Sequence, residues 1–592
     1  MYLPHIVKLA IFAAHACFAA NSTYFNPVLP GWHSDPSIVY VDGTFYAATS
    51  TFLVYPGIPI YTSPDLIHWK LTSHVWTRAS QLPNAGRDVA IQQGGFFAPT
   101  LRHKDGVFYV INVYLGGPSL ANGSLLGTIY NTTNIVNSSA WSDPVYFNSP
   151  SIDPDLFWDD DGKVYVHTAG IKQQEIDLTT GKVSNPISVW NGTGGSNPEG
   201  PHMYKKDGWY YLMIAEGGTE LGHRETIARS RHVSGPFVSN PSNPLVTNSN
   251  TSEYFQTVGH ADLVFDGKDW WGLALSTRSG PEWEIYPMGR ETVLFPVSWE
   301  EGKWPVATQV RGIMDGWELP PYGPFVSGPG PFNNDPDVVD FAPGSSLPPQ
   351  FVTWRYPEDD VFAISEDGHP NTLRIRPSRA NLTGIPGSTT QPALTGQSGI
   401  SFIGRRQVHT LFTYSVDLEF KPQDLDQEAG ISVLLTQLNH IDLGIALSRN
   451  TSQSDHPSQL EIRLRTEGSG TPNGTVPSSL QTFALPESCN AGGDIRLEVT
   501  AINSTTYMLS VKPANNANEK VVIGYVSALV VSGGSGPFTG TLLGVYATCN
   551  GGKGSGNECS SSGGNAYFSR WRYQGAAEQY SFTEFLPSTY GM

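Results

Sequence analysis

The chain contains the stretch His33-Ser-Asp-Pro-Ser-Ile-Val-Tyr-Val-Asp-Gly-Thr-Phe-Tyr46, and its pattern recurs four more times before residue 272. The other copies are Phe97-Ala-Pro-Thr-Leu-Arg-His-Lys-Asp-Gly-Val-Phe-Tyr109, Ile152-Asp-Pro-Asp-Leu-Phe-Trp-Asp-Asp-Asp-Gly-Lys-Val-Tyr165, Pro198-Glu-Gly-Pro-His-Met-Tyr-Lys-Lys-Asp-Gly-Trp-Tyr-Tyr211 and Gly259-His-Ala-Asp-Leu-Val-Phe-Asp-Gly-Lys-Asp-Trp-Trp271. Each copy joins an apolar run to an aromatic-rich run through Asp-Gly or a comparable turn. Such a turn suits the twist of paired strands, so each copy predicts a β-hairpin.

The spacing of the copies predicts how the hairpins are arranged. They begin roughly 45–65 residues apart, which is the length of a four-stranded propeller blade with its loops. Five copies therefore predict a five-bladed β-propeller. Equivalent positions of all blades meet around the propeller axis. Four copies have an ionisable residue near their start, which we call the head of the copy, and these heads are expected to share one funnel. These heads are Asp35, Asp153, Glu199 and His260. The alternative for each acid is a residue that only starts a turn.

Length and composition set the broad class of the protein. The 592 residues exceed one ordinary domain, so at least two cores are expected. The 62 glycines and 45 prolines, together with many short strand-like runs, favour an all-β protein. The formal net charge of -18 argues against a nucleic-acid partner, because binding to phosphates needs a basic face.

The hairpin pattern stops after residue 306, where the composition changes. We assign residues 21–318 to the propeller and residues 319–335, rich in proline and glycine, to a stiff connector. Residues 336–592 contain runs in which apolar and polar residues alternate, such as Thr413-Tyr-Ser-Val-Asp-Leu-Glu-Phe420. This alternation predicts a jelly-roll-like β-sandwich whose sheets each have one solvated face. Catalysis is not expected there, because its ionisable residues are scattered rather than repeated.

The first 20 residues have the pattern of a secretory signal: Lys8, an apolar core and then small residues. The segment is too short to span a bilayer, and no later run of about 18–20 apolar residues follows, so no membrane partner is expected. Ten Asn-x-Ser/Thr sequons accompany this signal and predict a secreted, extracellular protein with N-linked glycans. They begin at Asn21, Asn122, Asn131, Asn137, Asn191, Asn250, Asn381, Asn450, Asn473 and Asn503.

The chain has four cysteines, of which Cys17 would leave with the signal sequence. Cys549 and Cys559 flank a glycine-rich loop and are the expected disulfide partners, although the sequence alone leaves the connectivity open. Cys489 would then be unpaired. No Cys/His spacing here is typical of a structural zinc site. No required cofactor and no obligate protein partner is expected.

Three acids in one funnel could hydrolyse a glycosidic bond with inversion. One carboxyl must be protonated to supply the leaving group with a proton, and another must be ionised to activate water. The two stand about 6.5–9.5 Å apart to admit that water. A third carboxylate near the proton donor would raise the pKa of the donor, because like charges repel.

Flat aromatic faces near the heads would suit the C–H groups of a sugar. The candidates are Trp32, Phe52, Trp76, Phe96, Phe97, Trp270 and Trp271. Among them we assign Trp32, Phe52, Trp76 and Phe97 to substrate binding. Packing within a blade is the alternative for each.

Several motifs, one per blade and in the same order, resemble glycoside hydrolase family 43, whose members are five-bladed propeller enzymes acting on arabinose- and xylose-containing plant polysaccharides. The motifs are Asn26-Pro-Val-Leu-Pro-Gly-Trp-His-Ser-Asp-Pro-Ser37, Ala98-Pro-Thr-Leu101, Ile152-Asp-Pro-Asp-Leu-Phe157, Asn197-Pro-Glu-Gly-Pro201, Gly259-His-Ala-Asp262 and Gly289-Arg-Glu-Thr292. The resemblance implies that Asp35 is the general base and Glu199 the general acid. It implies that Asp153 orients the acid and sets its pKa.

The same resemblance implies roles for two further residues. Arg290 resembles the arginine that binds sugar hydroxyls and contacts the acids. His260 resembles the histidine at the funnel floor that is associated with a water or a calcium ion, so a structural calcium at the axis is an open expectation. The alternative for His260 is a hydrogen-bonded core histidine. Asp155 stands where the family often has serine, and we expect it to point away from the funnel.

The resemblance also bears on the substrate. The second half resembles the sandwich of exo-acting members, where it lends a loop to the pocket wall, and it includes Phe402-Ile-Gly-Arg-Arg-Gln407. We expect an α-L-arabinofuranosidase acting on the side chains of arabinoxylan. The alternative is a β-D-xylosidase, or an enzyme with both activities, acting on xylo-oligosaccharides. A non-catalytic carbohydrate-binding propeller would lack at least one of the acids, and a sialidase would need an arginine cluster and a tyrosine nucleophile.

Overall fold

The computed structural model describes residues 23–588 apart from residues 84, 86–88, 90–93, 117–124, 326, 387–398, 450–457, 472–473, 490–492, 534–537, 553, 556–557 and 560–563. The expected signal sequence at 1–20 lies outside the described residues, as do the sequons at Asn21, Asn122, Asn450 and Asn473. The described helical segments are short 3-10 turns, of which the longest is Ala528–Val531. Within the described residues, no helix has the length and hydropathy needed to cross a bilayer.

The first half of the chain forms five antiparallel sheets of four strands each, which confirms the predicted five-bladed propeller. A first strand, β1 (Thr23–Phe25), precedes the blades. The blades are β2 (Ser37–Val41), β3 (Thr44–Ala48), β4 (Gly57–Ser63) and β5 (Lys70–Trp76); β6 (Gly95–Lys104), β7 (Val107–Leu115), β8 (Leu125–Thr132) and β9 (Val145–Ser149); β10 (Asp155–Trp158), β11 (Val164–Thr168), β12 (Lys172–Glu175) and β13 (Ile187–Ser188); β14 (Glu199–Lys206), β15 (Trp209–Glu216), β16 (Arg224–Ser230) and β17 (Val238–Ser239); and β18 (Phe255–Phe265), β19 (Trp270–Arg278), β20 (Glu291–Ser298) and β21 (Val306–Ala307).

The hairpin turns have the backbone conformation that the Asp-Gly pairs predict. Both central residues of the first turn have positive φ, at 49° for Asp42 and 82° for Gly43. The pairs Asp105-Gly106 and Asp207-Gly208 repeat this conformation. Two successive positive φ values define the type I′ turn, whose twist matches that of the two flanking strands. The turn chemistry therefore fixes the register of β2 with β3, in which Val41 pairs with Thr44.

The ring of blades closes without a strand shared between its two ends. Each blade is built from four consecutive strands, and β1 pairs with β22 (Ile313–Asp315) in a separate two-stranded sheet. The side chain of Asn26 bonds both backbone groups of Leu294 in the last blade, with Nδ2 to O at 3.0 Å and N to Oδ1 at 2.8 Å. Leu29 forms a bridge with Thr292 in the same strand. The segment before the first blade is thereby fastened to the last blade.

The second half forms a sandwich of two antiparallel sheets, as predicted. Its strands are β23 (Asp337–Val339), β24 (Val352–Thr353), β25 (Phe362–Ile364), β26 (Leu373–Ile375), β27 (Phe402–Arg406), β28 (Leu411–Phe420), β29 (Glu428–Thr436), β30 (Asn439–Ser448), β31 (Gln459–Thr471), β32 (Gly474–Ala484), β33 (Ile495–Asn503), β34 (Thr506–Pro513), β35 (Val521–Ser527), β36 (Leu542–Thr548), β37 (Gly554–Ser555), β38 (Glu558–Cys559), β39 (Ala566–Gln579) and β40 (Phe585–Pro587). One sheet has the order β25-β26-β39-β28-β33-β34-β35, with β23 and β40 also paired to β39. The other has the order β24-β27-β36-β29-β30-β31-β32, and β37 pairs with β38 separately.

The two halves pack against each other through a shared hydrophobic cluster. Trp32 and Phe52 of the propeller belong to the same buried cluster as Trp354, Phe402 and Tyr546 of the sandwich. The connector at 319–335 lies along the first blade: the backbone of Pro331 accepts a hydrogen bond from Leu71, and that of Trp69 accepts one from Asn333. Burial of apolar surface from both halves holds the sandwich at the edge of the propeller.

A buried ion cluster also crosses the domain boundary. The guanidinium of Arg278 in β19 binds Glu291 at 2.6 Å and reaches Glu578 in β39 at 2.7 Å. It also donates to the backbone oxygen of Gln579. Because Glu291 accepts the backbone N–H of Gly31, this one arginine links three parts of the chain.

The sandwich carries the expected cross-link between Cys549 and Cys559. Cys489 is buried and free.

Removal of Arg278 should destabilise the protein severely. Arg278→Ala leaves the buried Glu291 and the partly buried Glu578 without their cation, and breaking a buried pair in this way costs about 3–5 kcal/mol of the free energy of unfolding. Urea unfolding followed by tryptophan fluorescence measures the loss. The matched control is Arg311→Ala, because Arg311 is exposed and pairs with Glu253 at the surface, where ion pairs contribute little. Equal unfolding midpoints for the two variants would show that the buried cluster does not join the domains.

Candidate active site

A cavity of about 130 Å³ opens where the first strands of the blades begin. It is lined by Asp35, Phe52, Phe97, Ile152, Asp153, Asn197, Glu199, Gly218, Thr219, Glu220, His260, Arg290 and Phe538. The three acids thus come from the first, third and fourth blades. The predicted gathering of Asp35, Asp153 and Glu199 around one cavity is what the structure shows.

Each blade has a left-handed backbone residue just before or within its first strand. The φ values are 53° for Asp35, 23° for Ala98, 57° for Asp153, 53° for Gly200 and 52° for His260. All but the last precede a proline, which supports their equivalence. Positive φ is uncommon outside glycine and occurs where the surrounding structure imposes it, often at functional sites. The repeat therefore turns the same backbone position toward the axis five times.

The position of Glu199 differs in one detail from the position that the repeat predicts. It lies one residue before Gly200, which is the position equivalent to Asp35 and Asp153, and the pairing of β14 with β15 shifts register between Glu199 and His202. A side chain at Gly200 would be crowded, because its Cβ would lie 3.0 Å from Nε2 of His260. The fourth blade therefore delivers its acid from the preceding residue, by means of an irregular strand.

Asp35 is held as a carboxylate. Its oxygens accept hydrogen bonds from Arg290 at 3.1 Å and from the hydroxyl of Ser50 at 2.6 Å, and Nδ1 of His260 lies 3.6 Å away. Burial on its own would raise the pKa of Asp35, but the charge of Arg290, with contributions from His260 and Ser50, lowers the pKa below its ordinary value. Asp35 is therefore ionised at neutral pH.

The pKa values of Asp153 and Glu199 are raised, in contrast to that of Asp35. Burial raises the pKa of Glu199 to about 7, and the charge of Asp35 adds to the shift. Burial, followed by repulsion from Glu199 and Asp35, raises the pKa of Asp153, although the N–H of Gly200 donates to its Oδ2 at 3.2 Å. Among the described residues, no cationic side chain donates to either group. The two repel each other and titrate as a pair, which retains a proton near neutrality.

Arg290 connects the acids to the second domain. Besides Asp35, its guanidinium donates to the hydroxyl of Thr219 at 3.0 Å and to the backbone oxygen of Phe538 at 3.1 Å. It also lies over the ring of Phe538, 5.0 Å from the ring centre. Phe538 follows the sandwich strand β35 in the chain, so the sandwich supplies part of the cavity wall. The family resemblance implied such a contribution from the sandwich, and Phe538 provides it.

The aromatic candidates divide into two groups. Phe52 and Phe97 line the cavity, and their rings meet edge to face at 4.9 Å. Trp32 and Trp76 do not reach the cavity, because both are fully buried behind it. Trp32 stacks under Phe52, and Trp76 packs against Phe96. Their place is in the wall that supports the cavity, which is the blade-packing alternative; Trp270 and Trp271 also lie in the packing of the last blade.

The sequence did not lead us to assign five of the cavity residues to the site: Phe538, Thr219, Asn197, Glu220 and Ile152. Asn197 and Ile152 flank acids in the repeat, so their closeness in sequence was an available signal. Thr219 and Glu220 follow β15 in a turn outside the repeat. Phe538 lies in another domain, and no pattern within the chain connects it to the propeller axis.

The residues at the axis do not fit a calcium ion. Asp155 and Asp262 are fully buried there, and Arg102 already pairs with them at 2.6 Å and 2.7 Å. Asp155 thus points away from the cavity. His260 and the imidazole of His202 line the same small cavity, whereas calcium takes six to eight oxygen ligands. Within the described residues, no group of three or more His, Cys, Asp or Glu side chains has an arrangement that could hold a metal ion.

This arrangement can perform acid–base chemistry on one bound group. A carboxylate, Asp35, and a protonated carboxyl of the Asp153–Glu199 pair face the same small cavity, and Arg290 and Thr219 add hydrogen-bond donors and acceptors beside them. Apolar ring faces of Phe52, Phe97 and Phe538 complete the lining.

Comparison with known proteins agrees with this geometry. Residues 24–305 match the family model described as glycosyl hydrolases family 43, and residues 338–574 match that of the β-xylosidase C-terminal Concanavalin A-like domain. A non-reducing-end α-L-arabinofuranosidase of Bacteroides ovatus is 34% identical over 544 residues, covering 90% of this chain and 92% of its own. A xylosidase/arabinosidase of Butyrivibrio fibrisolvens is 31% identical over 564 residues, covering 90% and 97%.

Solved structures show the same two-domain arrangement. A mutant of the family 43 protein BlXynB from Bacillus licheniformis superposes with a TM-score of 0.78 at 27% identity, covering 93% of this chain and 100% of its own. The site geometry and these similarities show that the chain belongs to glycosyl hydrolase family 43, as an arabinofuranosidase and/or xylosidase with a C-terminal Concanavalin A-like sandwich.

Proposed function

We propose that the protein is a secreted, inverting exo-hydrolase that releases terminal α-L-arabinofuranose from the side chains of arabinoxylan. The observation that carries the proposal is electrostatic. One cavity contains a carboxylate stabilised by Arg290 and a pair of carboxyls whose pKa values are raised. An inverting glycosidase needs a base and an acid in these two states at the same pH.

Glu199 donates its proton to the glycosidic oxygen as the bond to the anomeric carbon breaks. Asp35 takes a proton from a water molecule, whose oxygen attacks the anomeric carbon from the opposite face. The products are the free pentose and the polysaccharide without that side chain, and the proton gained by Asp35 balances the one lost by Glu199. Asp153 orients Glu199 and keeps its pKa high enough for it to hold a proton.

The size and walls of the cavity support action at a chain end. Phe52 and Phe97 from the propeller and Phe538 from the sandwich enclose it, and the second domain thereby closes one side. A cavity of about 130 Å³ bounded in this way suits a single terminal pentose rather than a continuous chain.

The choice of arabinose is supported by the α-L-arabinofuranosidase among the relatives. β-D-xylosidase activity on xylo-oligosaccharides is the second candidate. It is supported by the match of the second half to a β-xylosidase C-terminal domain and by relatives named β-xylosidase or xylosidase/arabinosidase.

Secretion is supported by the sequence of residues 1–20 and by the exposed position of several sequons. Asn137, Asn191, Asn250 and Asn503 are exposed. Asn381 is different, since its side chain is buried and donates to Asn550 at 2.9 Å. We therefore expect glycans at the exposed group and none at Asn381.

The substrate assignment is tested by identifying the sugar released from three polymers. Arabinoxylan, linear xylo-oligosaccharide and arabinan are incubated separately with the enzyme, and the products are separated by chromatography. Monomeric arabinose from arabinoxylan is the expected result. Xylose from xylo-oligosaccharide as the dominant product would transfer the assignment to β-D-xylosidase, and long oligosaccharides from arabinan would reject exo action.

Loss of the proton donor should depend on the leaving group. Glu199→Ala should lower the rate on natural glycosides by about 10²–10⁴-fold, the usual contribution of general acid catalysis, and should spare much of the rate on aryl glycosides, whose leaving groups need little protonation. Glu220→Ala is the matched control, because it removes a carboxyl from the same cavity. In Glu220→Ala, the ratio of the rate on natural glycosides to the rate on aryl glycosides should equal that of the wild type. Equal losses on both substrates in Glu199→Ala would reject Glu199 as the donor.

Asp153→Asn should move the basic limb of the pH profile. Glu199 acts in its protonated form, so the rate falls as pH rises through the pKa of Glu199, which burial places at about 7. Removal of the neighbouring acid lowers that pKa, and the basic limb of kcat/KM shifts toward acid together with a fall in rate. The acidic limb, set by Asp35, should move little because Arg290 is retained. A profile with both limbs unchanged would show that Asp153 does not tune the donor.

A further inference from the structure

One guanidinium touches all the other blades of the propeller. Arg102 in β6 contacts Asp155 of the third blade at 2.6 Å and Asp262 of the fifth at 2.7 Å. Its Nη2 donates to Nδ1 of His202 in the fourth blade at 2.8 Å, and its Nη1 lies 3.3 Å from the hydroxyl of Ser37 in the first. A side chain that reaches four other blades must lie at the propeller axis.

The two aspartates that pair with Arg102 also accept hydrogen bonds from other groups. Asp262 also accepts hydrogen bonds from the hydroxyls of Ser37 at 2.7 Å and Tyr204 at 2.8 Å. Asp155 also accepts the backbone N–H of Met203 at 2.9 Å. Burial opposes ionisation of both aspartates, but the charge of Arg102 lowers the pKa of each below its ordinary value. One arginine therefore compensates two buried carboxylates from different blades.

These contacts lie one short step along each strand from the reacting groups. Ser37 is two residues after Asp35, and Asp155 is two residues after Asp153. His202 is three residues after Glu199, and Asp262 is two after His260. Arg102 itself belongs to the second blade, whose head, Ala98, supplies no ionisable group. The one blade without a reactive head thus provides the side chain that meets the strands of the other four.

We propose that Arg102 is a positioning residue for hydrolysis, acting as a built-in axial cation that sets the spacing of Asp35, Asp153 and Glu199. Arg102 is a cation already built into the axis, and a planar fork with five donors suits partners that arrive from several directions. This rests on the carboxylate roles proposed above. It follows that hydrolysis requires no axial metal. It also follows that a small displacement of the strands around Arg102 changes the positions of the three acids.

The experiment compares Arg102→Ala, Arg102→Lys and the matched control Arg78→Ala, whose arginine pairs with Asp143 near the surface. Circular dichroism and thermal unfolding first show which variants fold, and kcat, KM and pH profiles are measured on an aryl pentoside. Misplacement of reacting groups by about 1 Å can cost roughly 100-fold in rate, so we expect kcat of Arg102→Lys to fall by that order while KM changes little. Its basic limb should also move, because the Asp153–Glu199 spacing changes. The control should keep the wild-type kcat and profile.

Chemical rescue gives a second readout. Guanidinium chloride, added far below denaturing concentrations, should restore kcat in folded Arg102→Ala and leave the control unchanged. A chelator should not lower the wild-type rate. The proposal would be overturned if Arg102→Lys had the kcat and pH profile of the wild type, whether or not Arg102→Ala folds. It would also be overturned if the chelator inactivated the wild type and added calcium restored its activity. A wild type inactive on every pentoside would instead reject the proposed function.

Discussion

The propeller must bring five separate sheets to one axis although no strand is shared between the first blade and the last. Closure therefore depends on contacts that cross from blade to blade, of which the Arg102 cluster and the bonds from Asn26 to Leu294 are the most direct. The same constraint creates the site. Each blade has a left-handed residue just before or within its first strand, so the ring that holds the molecule together also collects the side chains at its centre.

Electrostatics then differentiates acids that the repeat supplies in similar positions. Asp35 receives Arg290 and Ser50 and remains charged, whereas Asp153 and Glu199 have no such cationic donor in the described part of the chain and retain a proton. Arg290 is in turn held by the backbone oxygen of Phe538 from the sandwich. The accessory domain therefore contributes to the charge state of the base as well as to the wall of the cavity.

Much of this could be predicted from the sequence, because the repeat encodes it locally. Asp-Gly turns and alternating runs specify the hairpins, and their period specifies the blades, which places Asp35 and Asp153 together. The register of Glu199 could not be predicted, because it depends on an irregular strand pairing around Gly200. Trp32 and Trp76 are aromatic residues near the repeat, as Phe52 is, so the sequence did not separate them. Only the structure shows that the two tryptophans lie buried behind the cavity and do not line it. Phe538 is brought in by the packing of two domains, which no single-sequence pattern describes.

In the proposed mechanism, a charged Asp35 and a protonated Glu199 act on opposite faces of one sugar. Proton NMR of the first product, recorded in the opening minutes of hydrolysis before the anomers interconvert, tests this most directly. We expect the released pentose to appear first with the anomeric configuration opposite to that of the substrate. A first product with the same configuration would mean that a carboxylate attacks the sugar itself, and would contradict the assignment of Asp35 as the base that activates water.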